Sequence, residues 1–373
     1  MGCDMQQADY RGYTIQTIEN YPVKYRRHLQ SLLIGAGFLQ KGSQESIFSP
    51  DAIDISELEL NEQIIQCIDN ETEEISNGSL GVFEKWEYTK DYKYSVLFSA
   101  ENYEALVNTV KERTAPYDTA SSDFSASSPL FSKLESPQFF DENELKITLL
   151  KFNRKFEAIH PQTGNELFIR YPIVVAFHHN EQLIEIRFDA LKRFFMDDSS
   201  NFYARLVEDV QAYLQDNYGE NIAPFDLDYL ISKLRNDDGD ACLIAQSMRM
   251  ANGSYAELKV EKNEELVLPF IGELKNFLID YNSEFEKVPV LRDAFEQFIF
   301  EKEATSDYPW IELLWKHEMK TRSIHVKVTY NYCQKGYCLL QHYFNSALIG
   351  MERMNNVVRY ISETAKGNPK PVA

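Results

Sequence analysis

The stretch Glu144–Phe195, ELKITLLKFNRKFEAIHPQTGNELFIRYPIVVAFHHNEQLIEIRFDALKRFF, decides the fold. From Leu167 onward the odd positions are Leu167, Ile169, Tyr171, Ile173, Val175 and Phe177, while the even positions include Arg170 and His178. Apolar residues at every second position put one face of a strand on a core, because successive side chains of an extended chain point to opposite sides. Ile184, Ile186 and Phe188 alternate in the same way with Glu185, Arg187 and Asp189. The intervening PQTGN and HHNE segments carry the Pro, Gly and Asn chemistry of tight connections. The stretch therefore reads as a three-stranded antiparallel meander.

Downstream, NFYARLVEDVQAYLQDNYG reads as a helix. Ser200 stands as its N-cap, Phe202, Leu206, Val207, Val210 and Leu214 share one face, and Gly219 stops it. A helix is expected over Asp226–Arg235, followed by the turn NDDGD. A hairpin joins 241–250 to 255–260 through Ala-Asn-Gly-Ser, whose Asn-Gly pair favours positive backbone angles. Helices over 270–281 and 290–303 lead into a second meander, WIELLWKH, SIHVKVTYNYC and YCLLQHYF, and a closing helix over 347–362. The tail GNPKPVA is expected to be disordered.

Upstream, Tyr25, Leu29, Leu32 and Leu33 mark a helix ending near Gly35–Gly37, with Lys24, Arg26, Arg27 and His28 as a solvated face. Phe83–Val110 reads as a strand pair through Trp86, Tyr88, Tyr92, Tyr94, Val96 and Phe98, then a helix from Tyr103. The Ser-rich run Tyr117–Phe140, with Pro129 and Pro137, buries little and marks a boundary. The organisation expected is an α+β protein of antiparallel meanders flanked by helices. An acidic N-terminal α+β domain spans 1–114, a linker 115–140, a larger α+β domain 141–366 and a disordered tail 367–373.

Charge narrows the function classes. Lys and Arg number 38 against 58 Asp and Glu, a net charge of -20. A surface that grips phosphate backbones gathers cations, so an extended nucleic-acid interface is disfavoured and basic partners are favoured. Five scattered cysteines and no signal-like start fit a reducing, cytoplasmic setting. No run reaches 18 uninterrupted apolar residues, so no membrane span is expected.

Between Lys41 and Lys85 no basic residue occurs, and acidic side chains interleave with Ile53, Ile55, Leu58, Leu60, Ile64, Ile65 and Ile68. The segment reads as foldable and amphipathic, with Asp54, Glu57, Glu59, Glu62, Glu71, Glu73 and Glu74 as a partner-binding surface. The leading expectation is a non-catalytic binding or regulatory protein that docks protein partners through acidic, aromatic-bearing surfaces and needs no cofactor.

The alternative is a nuclease-type hydrolase. Asp240 before one strand and Glu257-Leu258-Lys259 on the next give the order in which two carboxylates hold Mg²⁺ or Mn²⁺ and a lysine steadies the attacking water. Glu-x-Lys occurs four times, at Glu144, Glu257, Glu273 and Glu318, so composition alone generates it. The adjacent His178 and His179 point to opposite faces of a strand and read as solvated turn histidines. One of them becomes a general-base candidate if Glu185 lies across the sheet. Cys333 and Cys338 bracket the last hairpin, with Leu340 and His342 placed on the face of His325 and Lys327. A homo-oligomeric structural component is the third reading.

Overall fold

The computed structural model describes residues 2–40, 53–54, 58–69, 78–117, 133–197, 201–230, 241–249, 253–259, 271–304, 307–315, 323–343 and 350–366. The fold is α+β, with mostly antiparallel strands. By compactness the chain divides into two units: residues 1–225 with 349–359, and 226–348 with 360–373. Both flanks of the Ser-rich run fall inside the first unit, where Ala115–Pro116 pairs in parallel with Gln138–Phe139. The heart of that run, 118–132, and the tail 367–373 lie outside the described residues.

In the first unit the meander forms as the alternation predicts. Ile147–Ile159, Glu166–His178 and Leu183–Phe188 pair antiparallel in sequence order, and Gln138–Glu142 and Tyr94–Ala100 flank them. The connections use Gly164 at φ +71° and Gln182 at φ +56°. What the alternation did not foretell is that both faces are covered. On one face Phe152 meets Tyr213 and Phe156 meets Phe202, residues of the helix Phe202–Tyr218. On the other, Leu149, Val174 and Ala176 pack with Tyr88, Met351 and Met354. Every residue from Ile169 to His178 is buried, Arg170 and His178 included.

The covering element corrects the reading of Trp86 and Tyr88 as strand residues: Ser79–Thr89 is a helix. Phe83 and Trp86 pack outward against Tyr25, Leu29, Leu33 and Ile64, while Tyr88 faces the sheet. A helix packed on two sides, with only Gly81, Val82, Lys85 and Thr89 left partly or fully open, shows no narrow apolar stripe, so its aromatic spacing mimics the period of a strand. The helix Val23–Gly35 and the helix Tyr103–Arg113 form where expected.

The second unit is a five-stranded antiparallel sheet in the order Tyr255–Lys259, Ala241–Arg249, Trp310–Trp315, Ile324–Thr329, Leu339–Tyr343. A bulge between Leu243 and Ala245 shifts the register. One face buries Ile311, Leu313, Val326 and Val328. On that face Met248 and Leu258 meet Leu274, Leu278 and Ile299 of the helices Ile271–Asp280 and Pro289–Ala304. Leu340 and His342 pair with Val328 and Val326 and so lie on this core face, not on that of His325 as expected. A one-residue difference in register carries every side chain of a strand to the other side. The helix predicted over 226–235 lies largely outside the described residues, and the closing helix runs Glu352–Lys366.

Candidate functional site

The sheet face that the meander's polar positions form is an ionic layer beneath the 79–89 helix. Glu84 binds both Lys151 and Arg170, and Glu87 pairs with Arg170 at 2.7 Å and with Lys151 at 3.3 Å. All four side chains are at most 1% exposed. Burial alone pushes the Glu84 carboxyl up, but Arg170 and Lys151 outweigh it and hold the group below the usual carboxylate range. Farther along, Lys90 pairs with Asp189 and sits 3.7 Å from the centre of the Tyr92 ring. The opposite charges are matched and almost fully buried, Asp189 at 10% being the most exposed, so this layer specifies packing.

The histidines are not solvated turn residues. His178 is 2% exposed, and its Nε2 lies 3.0 Å from Glu185, which also accepts from Arg187 at 2.6 Å. Burial, not solvation, was missed because Glu185 and Arg187 look polar and outward until a helix covers them. His179 points the other way: its Nε2 lies 3.0 Å from the Thr148 hydroxyl, which donates to Asp141 at 2.6 Å, and its Nδ1 lies 3.4 Å from the Tyr103 hydroxyl. Burial and Lys111 hold its pKa below the ordinary imidazole value. With the Thr148 hydrogen given to Asp141, His179 Nε2 is the donor and Nδ1 the acceptor, so both ring nitrogens are engaged within the fold.

In the second unit two of the three residues of the hydrolase pattern fall on one described strand. Asp240 lies outside the described residues. Glu257 and Lys259 are exposed on one strand, and Glu257 accepts from the Tyr255 hydroxyl at 2.6 Å. Across the same face, Glu312 lies 3.0 Å from His325, whose ring stacks on Tyr343 with centroids 4.3 Å apart. That hydrogen bond, with help from Lys259 and Lys327, holds Glu312 below the usual carboxylate range. Lys327 sits 3.7 Å from the centre of the Trp310 ring. Among the described residues no group of three His, Cys, Asp or Glu side chains is placed to hold a metal ion. Cys333 and Cys338 form no disulfide.

Of the acidic partner surface, Glu59 and Glu62 are exposed at the start of the helix Leu60–Asp69, where the Glu59 N–H donates to the Glu62 carboxylate at 3.1 Å. Asp54 is placed by its backbone in the short strand Ile53–Asp54, and Glu57, Glu71, Glu73 and Glu74 lie outside the described residues.

The most open chemistry is on the helical pair of the second unit. Of twelve exposed large apolar side chains among the described residues, eight fall between 277 and 300, with Ile279 71%, Val290 81% and Phe300 64% exposed. The pair folds back through Asn282–Phe285, where Arg292 donates to Asn282 at 2.9 Å. A cleft of about 600 Å³ runs between the helices, lined by Lys275, Leu278 and Ile279 on one, Asn282 at the turn, and Arg292, Glu296, Ile299 and Phe300 on the other. The sequence signal for it is two apolar triplets, Phe277-Leu278-Ile279 and Phe298-Ile299-Phe300. At 3.6 residues per turn, three consecutive side chains cannot all face one core. The middle residues, Leu278 and Ile299, pack inward and their neighbours are left outside.

No described helix is long and apolar enough to cross a membrane. Comparison with protein-family models, with characterised proteins and with solved structures finds no match for this chain.

Proposed function

We propose that this is a non-catalytic, cytoplasmic binding protein whose docking element is the helical pair of residues 271–304. The observation that carries the reading is the concentration of exposed apolar side chains on that pair, since soluble chains rarely leave such a patch without a partner. The acidic surface, of which Glu59 and Glu62 are exposed, adds a long-range field that favours basic proteins. The burial of His178 with Glu185 and Arg187, and of Glu84 and Glu87 with Lys151 and Arg170, supports the same reading, because these charged groups are spent within the fold.

The test is affinity recovery of the tagged protein from its native cells at low salt, beside a variant carrying Ile279→Glu and Phe300→Glu. The parent is expected to retain a stoichiometric protein partner that the variant loses, with both melting alike. A parent that retains no stoichiometric partner, or a variant that retains it unchanged, overturns the assignment of this face.

A further inference from the structure

We infer that the cleft between the two helices receives a basic amphipathic helix of the partner protein, an inference that rests on the docking function proposed above. The cleft has the shape for it. Its lining positions, 275, 278 and 279 on one helix, with 282 at the turn, and 292, 296, 299 and 300 on the other, recur at helical spacing, so the groove follows both helix axes. It extends for about two turns, roughly 12 Å at 1.5 Å rise per residue. An amphipathic helix laid in such a groove inserts side chains at i, i+3, i+4 and i+7. Leu278 and Ile299 form the floor, and Ile279 and Phe300 stand on opposite walls.

Charge selects the occupant. Among the described side chains, the pair and its turn carry Asp280, Glu284, Glu286, Asp293, Glu296 and Glu301, six acids against the three bases Lys275, Lys287 and Arg292. Two of those bases are already matched within the pair, Lys287 to Glu284 at 2.6 Å and Arg292 to Glu296 at 2.8 Å. The surplus is acidic, as is the chain at a net charge of -20. A second copy of this protein would bring acid against acid, and an anionic membrane would be repelled. Of the charged residues that line the cleft, Arg292 is matched by Glu296 and Lys275 is the third; a helix with an apolar stripe and Lys or Arg on its flanks meets both demands, apolar contact in the cleft and a charge opposite to that of the pair and its turn as a whole.

The probe is a fluorescent helical peptide of leucine and lysine, with leucine at i, i+3, i+4 and i+7, beside a twin carrying glutamate for lysine. Anisotropy is read at low and high salt. The parent is expected to bind the lysine peptide 1:1, at least about 10-fold more weakly at high salt, and the glutamate twin not at all. Ile279→Glu with Phe300→Glu should weaken binding by about 10-fold or more, although it adds negative charge, because apolar burial is lost. Asp293→Lys with Glu301→Lys should weaken the lysine peptide and admit the glutamate twin.

Unchanged or tighter binding of the lysine peptide by the Ile279→Glu, Phe300→Glu variant means unspecific charge attraction and overturns the inference. So does self-association through this face in sedimentation that the peptide does not displace. If native cells yield a partner that needs Ile279 and Phe300 while the lysine peptide fails to bind, the docking function stands and the basic helix falls. If the peptide binds as expected but native cells yield no partner, the cleft chemistry stands and the proposed function falls.

Discussion

Glu84 shows how much a single buried carboxylate decides. Its neighbours Lys151 and Arg170 are buried with it, so Glu84→Gln leaves two buried cations with one carboxylate fewer between them. The expected loss is about 3–5 kcal/mol, measured by urea denaturation at pH 7. Because the folded pKa is depressed, the carboxylate stabilises fully above its unfolded value, ~4.3, and its contribution disappears as pH falls through the folded value. The gap between the parent and Glu84→Gln should therefore narrow below pH ~4. Asp189 has the opposite sign: burial outweighs Lys90 and raises its pKa, so its ionisation costs stability, a cost that is gone below the unfolded pKa. Cys338 gives a kinetic readout at the same scale. Burial pushes its thiol up to about 12 from 9.0. Alkylation at pH 8 should be roughly 10³-fold slower than for an ordinary thiol, since the thiolate is the reactive form. A rate near that of an unfolded control would show that Cys338 is not buried.

Among the elements, the helix Phe202–Tyr218 was legible in its face and its C-terminal stop, while Asn201 takes the N-cap position expected of Ser200, which lies outside the described residues. Gly219 closes it at φ +78°, a left-handed conformation with open space around the position where a Cβ would sit. Gly219→Ala should cost about 1 kcal/mol in thermal or urea unfolding, through backbone strain alone. The helical pair was legible as two helices from its periodicity, but not as a surface. Ile279→Glu and Phe300→Glu touch only its exposed walls, so each should change stability by no more than about 0.5 kcal/mol, in contrast to Glu84→Gln. The strand expected at Trp86 and Tyr88 failed for the reason that hid the ionic layer. A helix that buries charged Glu84 and Glu87 beside Phe83, Trp86 and Tyr88 carries no narrow apolar stripe, and the polar side of the sheet it covers looks like a solvent face in sequence. The hydrolase pattern was weak for a different reason. Glu-x-Lys arises freely in a chain rich in both residues, and Glu257 and Lys259 stand exposed on an outer strand.

For the whole molecule, charge and the apolar face pull against each other. A net charge of -20 makes copies repel one another near neutrality, and that repulsion vanishes near the isoelectric point of about 4.8. Turbidity against pH should peak there, and Ile279→Glu with Phe300→Glu should lower the peak if the exposed face drives the association. An unchanged peak would assign precipitation to other surfaces. The sequence by itself determined the α+β class, the meander of Glu144–Phe195, the 241–259 hairpin and the acidic balance. These follow from periods of two and 3.6 residues, turn chemistry and counting, all of them local. Only the tertiary structure decided that Arg170, His178, Glu185 and Arg187 are buried, that Glu84 and Glu87 match Lys151 and Arg170, and that Ile279 and Phe300 wall an open cleft. Whether a polar face is covered or an apolar one left bare depends on which distant element packs against it, and no local pattern carries that information.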